Sequence, residues 1–394
     1  MTHAHLDRRI HLRRKEEIRV ARGHPWIFSN EIETISGNPA AGDVVEILTA
    51  GGRSVGVAFY NPHSLIAARL ISATPVEIDR TFFRRKIEQA LSLRTITYPT
   101  SGVFRLVHGE SDFLPGLVVD KFDDTLVVQT FSYGMDCRLP TICEALDDVL
   151  HPSCIVERNE SPLRALESLP ERRRTIAGTP RAQVIEDLGI QYGFHPLEGQ
   201  KTGFFLDQRE NRLLARRYCV QARVLDCFCN DGGFALNAAR GGATSVLAVD
   251  SSGDEIQRAE GNAQLNGIQS ITFVAADIFG YLRELHAREE RFNVIILDPP
   301  SFTRSKKTVP TAKRGYRELH ESSFHLLNQG GLLLTASCSH HIEPSTFMDV
   351  IQDAAKRTGR RLQLLDWRGA APDHPVLPSV PETRYLKFGV FRVL

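Results

Sequence analysis

From about residue 190 onward, short apolar runs bounded by turn residues alternate with stretches whose apolar positions recur at helical spacing. The runs at 223–226, 245–250, 271–274, 292–297 and 332–336 predict strands, and the intervals between them predict helices. Such alternation predicts a parallel sheet covered on both faces, with further strands at 361–366 and 385–393. The first 74 residues carry shorter runs, 44–48, 55–59 and 65–71, punctuated by Gly, Pro and Asn, which predict a small β-rich domain. Between the two, helical spacing over 78–94, strands at 116–119 and 126–131 and a helix over 139–150 predict a mixed α+β domain. The segment 171–180, rich in Arg, Gly and Thr, predicts a loop leading into the last unit. The expected division is therefore 1–74, 75–190 and 191–394, an α/β chain whose last part is a doubly wound, mostly parallel sheet.

A chain of 394 residues is long enough for two or three cores. It contains no run of roughly 18 apolar residues, so no membrane span is expected. The first thirty residues are too polar for a secretory signal. Seven cysteines without regular spacing fit reduced thiols in the cytoplasm better than a disulfide framework. A formal net charge of +1 conceals local clustering. Arg8, Arg9, Arg13, Arg14, Lys15, Arg19 and Arg22 outnumber the acids among them, and Arg304, Lys306, Lys307, Lys313, Arg314 and Arg317 have no acid between them. Clusters of this kind are either solvated faces or the field that a polyanion meets. The second lies just beyond a predicted strand end at Asp298, which favours nucleic acid.

Chemistry-bearing residues gather at the predicted strand ends, where ligands collect in doubly wound sheets. The strand at 223–226 runs into Asp226-Cys227-Phe228-Cys229-Asn230-Asp231-Gly232-Gly233-Phe234, whose paired glycines permit close approach of backbone to a ligand. The G-x-G-x-x-G fingerprint is absent, which counts against a nicotinamide or flavin oxidoreductase. Asp250 ends the second strand, where a carboxylate can accept from ribose hydroxyls, and Asp277 follows the third. Any one of these acids could be a helix N-cap; three at successive strand ends point to a nucleoside cofactor. Further on come Asp298-Pro299-Pro300 and Ser337-Cys338-Ser339, an acid and a thiol at neighbouring strand ends. That pair suits methyl transfer to carbon 5 of cytosine, in which a thiolate must first add to carbon 6 to make carbon 5 nucleophilic. The competing role for Cys338 is a buried core thiol. Ser301, rather than an aromatic, follows the two prolines and disfavours exocyclic-amine methylation. Neither Cys338, His340 and His341 nor Cys227 and Cys229 have zinc-site spacing, so no metal is expected.

The whole chain resembles the PUA-domain class of S-adenosylmethionine-dependent ribosomal RNA methyltransferases, and most closely the bacterial 23S ribosomal RNA cytosine-C5 enzymes. The segments that carry the resemblance are Gly23-His24-Pro25-Trp26-Ile27-Phe28-Ser29, Leu114-Pro115-Gly116-Leu117-Val118-Val119-Asp120, Lys201-Thr202-Gly203-Phe204-Phe205-Leu206-Asp207-Gln208-Arg209, Gly232-Gly233-Phe234, Asp298-Pro299-Pro300-Ser301-Phe302, Arg314-Gly315-Tyr316, Ser337-Cys338-Ser339 and Asp373-His374-Pro375-Val376. The resemblance implies a PUA domain, a middle α+β domain and a Rossmann-like class I methyltransferase domain. It places the methionine end of S-adenosylmethionine near Phe228 and Gly232, the ribose on Asp250 beside Ser251, and adenine near Asp277 and Ile278. With the strand-end acids Asp226 and Asp298 these form the expected cofactor set. Asn230 stands where the family pattern calls for an aromatic. Cys338 and Asp298 are the expected catalytic pair. Expected RNA contacts are Arg304, Lys306, Lys307, Arg314, Tyr316 and Phe302 in the last domain and Arg13 and Trp26 in the first, with large-subunit ribosomal RNA or its precursor as partner, and a homodimer as the assembly considered. The alternatives are methylation at another base position, or a non-catalytic RNA-binding assembly factor that retains the fold.

Overall fold

The computed structural model describes residues 7–199, 202–303 and 305–394. The chain packs as two compact units: one from the residues up to Ile185 with Phe194–Leu206 and Pro372–Thr383, the other from Glu186–Gly193, Asp207–Ala371 and Arg384–Leu394.

The first unit opens with a six-stranded sheet of β1 (Arg9–Leu12), β2 (Trp26–Ile27), β3 (Ile32–Ser36), β4 (Val44–Leu48), β5 (Ser54–Tyr60) and β6 (Ala68–Ser72), ordered β2-β6-β5-β4-β1-β3. A short helix, α1 (Glu17–Ala21), lies between β1 and β2. Alternation along the strands sends Ile10, Leu12, Val45, Ile47, Ala58 and Ala68 into one core and Val57, Phe59 and Ile71 into another. The second core is completed by α2 (Arg80–Thr97), α4 (Leu139–Leu150) and a five-stranded sheet. That sheet comprises β7 (Val103–His108), β8 (Leu117–Phe122), β9 (Thr125–Thr130), β10 (Cys154–Asn159) and β11 (Arg172–Gly178), with α3 (Tyr133–Cys137) after β9. Asp79 caps α2 by accepting the Phe82 amide at 2.7 Å.

β11 corrects the loop expected over 171–180. It is the outermost strand of its sheet and pairs antiparallel with β10 alone. Charge is normal on such an edge, where one side of the strand has no neighbour. Here it is also paired: Arg172 and Arg174, two residues apart and so on one face, donate through Nε to the two oxygens of the buried Glu157 at 3.0 and 2.6 Å.

A two-stranded sheet, β12 (Gln183–Asp187) and β13 (Ile190–Phe194), precedes the bulk of the second unit. There α5 (Arg209–Tyr218) leads into β14 (Arg223–Cys227), α6 (Gly233–Arg240), β15 (Ser245–Asp250), α7 (Gly253–Leu265), β16 (Ile271–Ala275), α8 (Ile278–Ala287), β17 (Phe292–Leu297), α9 (Val309–Leu326), β18 (Leu327–Ser337), α10 (Pro344–Arg357), β19 (Leu362–Arg368) and β20 (Lys387–Val393). The strand order is β16-β15-β14-β17-β18-β20-β19. The first five are parallel neighbours, and β20 runs antiparallel to both β18 and β19. Both faces are buried, which is why these strands read as continuous apolar runs. Leu225, Cys227, Ile295, Leu297 and Leu333 meet α8, α9 and α10 on one side, while Val224, Val294, Ile296, Leu334 and Ala336 meet α5 and α6 on the other. The order reverses between β14 and β17, and that switch point is where a crevice opens at the strand ends. No helix among the described residues is long and apolar enough to cross a membrane.

Candidate active site

β14 delivers the chain into a tight loop in which Phe228 (φ +64°), Asn230 (φ +50°) and Gly232 (φ +85°) are all left-handed before α6 begins. Non-glycine residues in this region cost free energy and cluster where a backbone is shaped for a ligand. Asn is among the side chains that tolerate it best, which gives a physical reason for Asn230 at a position where an aromatic was expected. The loop is held by the Cys229 amide on the Val249 carbonyl (3.1 Å) and by the Gly232 amide on the Cys229 carbonyl (2.8 Å). A Cβ at Gly233 would come within 2.5 Å of Arg212 Nε, so glycine is required there by close packing.

Asp250, at the end of β15, accepts the Asn230 amide on Oδ2 and the Ser252 amide on Oδ1, each at 3.0 Å. Each oxygen keeps lone-pair capacity for a ligand hydroxyl. Ser251 beside it is exposed. Asp277 is exposed and acts as the N-cap of α8, accepting the Gly280 amide at 2.8 Å. Ile278 corrects an expectation: its side chain is packed in the sheet and helix core and offers a ligand little surface. Asp226 corrects another. It is 0% exposed, so it stands behind the loop rather than facing a ligand directly. Neither of its oxygens meets a hydrogen-bond partner at good geometry, although the Ala235 amide lies close enough to favour the charged form. Burial, reinforced by Asp298 and Asp250, holds its pKa well above the usual carboxylate range.

Asp298 follows β17, and its Oδ1 accepts from Gln208 Nε2 at 2.9 Å. Gln208 is itself oriented by Asn211, whose Nδ2 donates to Gln208 Oε1 at 2.7 Å. In the adjacent strand Thr335 is in register with Leu297, so Asp298 and Cys338 emerge at neighbouring carboxyl ends. The two turns are tied together: Ser301 Oγ and Ser339 Oγ share a hydrogen bond at 3.2 Å. Cys338 is half-buried. Cys227 and Cys229 are fully buried, and burial drives both thiols well above the ordinary range, so neither is a ready nucleophile.

Tyr316 corrects the expected base contact. It is 1% exposed, and its hydroxyl lies 2.9 Å from Ser337 Oγ and 3.0 Å from Ser339 Oγ, so it pins the end of β18 from within the core. Phe302 is half-buried against it, ring centroids 4.6 Å apart. Lys306, Lys307 and Arg314 are exposed at the start of α9 and in the turn before it, and Arg304 lies outside the described residues. In the first unit Arg13 is exposed, while the Trp26 indole donates to Glu110 Oε1 at 2.8 Å and packs edge-on against His24 and Phe28. Gln208, Ser301 and Ser339 stood within the quoted motifs without a structural task at the site, and sequence reasoning missed Lys387 altogether, which donates to the Ser339 carbonyl at 2.7 Å. A cavity lined by Tyr218, Asn293, Asn328 and Gly331 lies at the opposite, amino ends of β14, β17 and β18, away from this chemistry.

The PUA-like domain family matches residues 10–73, and the S-adenosylmethionine-dependent methyltransferase family matches residues 175–392. The ribosomal RNA large subunit methyltransferase I of Vibrio cholerae is 39% identical over 396 aligned residues, covering 98% of this chain and 99% of its own. Its namesake in Aeromonas hydrophila is 41% identical over 392, covering 97% and 98%. The chain belongs to the ribosomal RNA large subunit methyltransferase I family. It is an S-adenosylmethionine-dependent methyltransferase with a PUA-like domain and a class I fold, as its motifs led one to expect. A solved chain described as a SAM-dependent methyltransferase from Streptococcus mutans shares the fold, with a TM-score of 0.84, 21% identity and coverage of 98% of this chain and 99% of that one.

The residues present fit that cofactor. The left-handed loop from Phe228 to Gly232 presents backbone to a ligand, and the Asp250 carboxylate, fixed by two amides, suits a ribose diol. Asp250→Ala is expected to weaken S-adenosylmethionine binding by about 1.5–3 kcal/mol, the worth of a charged hydrogen-bonding group. Calorimetry on a variant with an unchanged melting temperature checks it; unaltered affinity would remove Asp250 from the site.

Proposed function

We propose that this protein forms 5-methylcytosine in large-subunit (23S) ribosomal RNA or its precursor, in the cytoplasm, with Cys338 as nucleophile and Asp298 as acid and base. The thiolate of Cys338 adds to carbon 6, and electron density moves to carbon 5, which takes the methyl group. Loss of the carbon 5 proton to water then expels the thiolate, and return of the ring-nitrogen proton to Asp298 restores the aromatic ring. S-adenosylmethionine, when bound, supplies the electrophilic methyl group. Asp298 accepts from the exocyclic amine and donates a proton to the ring nitrogen, which stabilises the adduct. The target base must leave its stack to be reached from both sides. Residues 1–74 serve as an RNA-binding domain, 75–190 as the middle domain and 191–394 as the catalytic domain.

The observation that carries this reading is the tie between the two turns: Ser301 to Ser339 links the Asp298 turn to the one half-buried thiol among the three cysteines at the strand ends. Incubation of ribosomal RNA with labelled S-adenosylmethionine, followed by nucleoside analysis, tests it. Label in 5-methylcytosine is expected; label confined to N4-methylcytosine would overturn it.

Lys306, Lys307 and Arg314, with Arg304 from sequence alone, are proposed to hold phosphates, with Phe302 bordering the extruded base and Arg13 and Trp26 serving the PUA-like domain. Charge reversal of Lys306 and Lys307 is expected to lower RNA affinity and to flatten the salt dependence by about 0.7 log units per lost phosphate contact. Cofactor affinity stays as in wild type. Filter binding at several salt concentrations measures this, and an unchanged slope would return both lysines to a solvated surface.

A further inference from the structure

Lys387 is a buried charge beside Cys338 that the chemistry above does not use. It opens β20, directly across the antiparallel ladder from Ser337, the residue before Cys338. The residue is 2% exposed, and its ammonium donates to the carbonyls of Ser339 (2.7 Å) and Tyr385 (2.8 Å). Both partners are neutral, and among the described residues no carboxylate lies within ion-pair distance. Lysine is almost never buried without a charged partner, because two carbonyls replace water's hydrogen bonds but do not balance its charge. A cation built into the turn that carries a thiol therefore has its natural counter-charge in the thiolate.

We propose that Lys387 acts through Cys338, its ammonium stabilising the thiolate both before attack on carbon 6 and as the leaving group when the adduct breaks down. This rests on the assignment of Cys338 as nucleophile. On ionisation the thiol proton goes to solvent, and the pair becomes neutral overall. A thiolate of lower proton affinity also leaves faster, so the same charge serves both halves of the reaction. Burial lowers the Lys387 pKa to about 8, while Cys338 and Glu343 raise it. A lysine titrating near 8 remains mostly protonated at neutral pH. Because coupling is reciprocal, a thiolate that favours the ammonium is favoured by it to the same extent. The other titratable groups around the pair are Asp298 beyond β17, Tyr316 on α9, Glu343 before α10, His340 and His341 in the Cys338 turn, and Tyr385 before β20.

The test is the pH dependence of Cys338 alkylation by iodoacetamide without RNA, read from the Cys338 peptide by mass spectrometry. Lys387→Met is expected to move the inflection up by about one unit, a roughly tenfold slower reaction at neutral pH. Lys387→Gln, which still donates to the carbonyls, should shift it likewise, whereas Lys387→Arg keeps the wild-type profile. Superimposable profiles in folded variants, or an upward shift in Lys387→Arg equal to that in Lys387→Met, would overturn the proposal. The reciprocal measurement needs no change at Lys387. In Cys338→Ala the Lys387 pKa, followed by NMR of labelled lysine side chains, should fall below its wild-type value, and an identical titration would equally sink the idea. Neither experiment depends on methyl transfer. A Cys338→Ala enzyme that still methylates would refute the nucleophile and leave the measured coupling as it stands.

Discussion

Cys338→Ala is expected to abolish methyl transfer, with a loss of about 10⁴-fold or more, while S-adenosylmethionine binding and the melting temperature stay at wild-type values. The magnitude follows from the chemistry. Carbon 5 of cytosine is too weak a nucleophile to take the methyl group unaided, so removing the group that adds to carbon 6 removes the route, as removing the nucleophile does in other covalent enzymes. The substitution is structurally mild, because Cys338 is half-buried at the edge of its core and the turn is held by other atoms. Those are Tyr316 on Ser337 and Ser339, and Lys387 on the Ser339 carbonyl. Single-turnover assays with ribosomal RNA measure the effect. Residual transfer within about tenfold of wild type would exclude Cys338 as nucleophile.

Asp298→Asn is expected to cost about 10²–10⁴-fold in kcat, the range for loss of a positioned acid and base. Asparagine can turn its amide oxygen toward Gln208 and keep the 2.9 Å bond that orients the wild-type carboxylate. Its NH₂ group can then still donate to the ring nitrogen of cytosine, so binding suffers less than turnover. What it lacks is a transferable proton and an acceptor for the exocyclic amine. The expected pattern is therefore a fall in kcat with RNA affinity changed little. An equal fall in affinity with kcat intact would make Asp298 a binding residue only.

The sheet of the second unit was legible because parallel strands buried on both faces read as uninterrupted apolar runs: 245–250 and 292–297 coincide with β15 and β17. β11 was not, since its arginines mimic a loop until Glu157, a residue of the neighbouring strand, is seen beneath them. The same difficulty hides the partners at the site. Gln208 is 90 residues from Asp298, and Lys387 is 48 from Ser339, so no local pattern links them. Acids at strand ends were visible, but their individual tasks were not. Asp277 caps a helix, Asp250 braces the loop with both oxygens, and Asp226 is sealed behind it. Tyr316 was expected to contact RNA; helical periodicity turns it inward, one face of α9 being the core face.

The covalent adduct itself is the most direct test of Cys338 chemistry at carbon 5. Substrate RNA carrying 5-fluorocytosine at the target position permits addition and methyl transfer, but fluorine cannot leave as a cation, so elimination stalls with the thioether intact. Wild-type protein should be trapped on such RNA in the presence of S-adenosylmethionine, and the crosslinked peptide, read by mass spectrometry, should contain Cys338. A crosslink that maps to Cys227 or Cys229, or continued methylation of the fluorinated RNA with no adduct at all, would contradict the account.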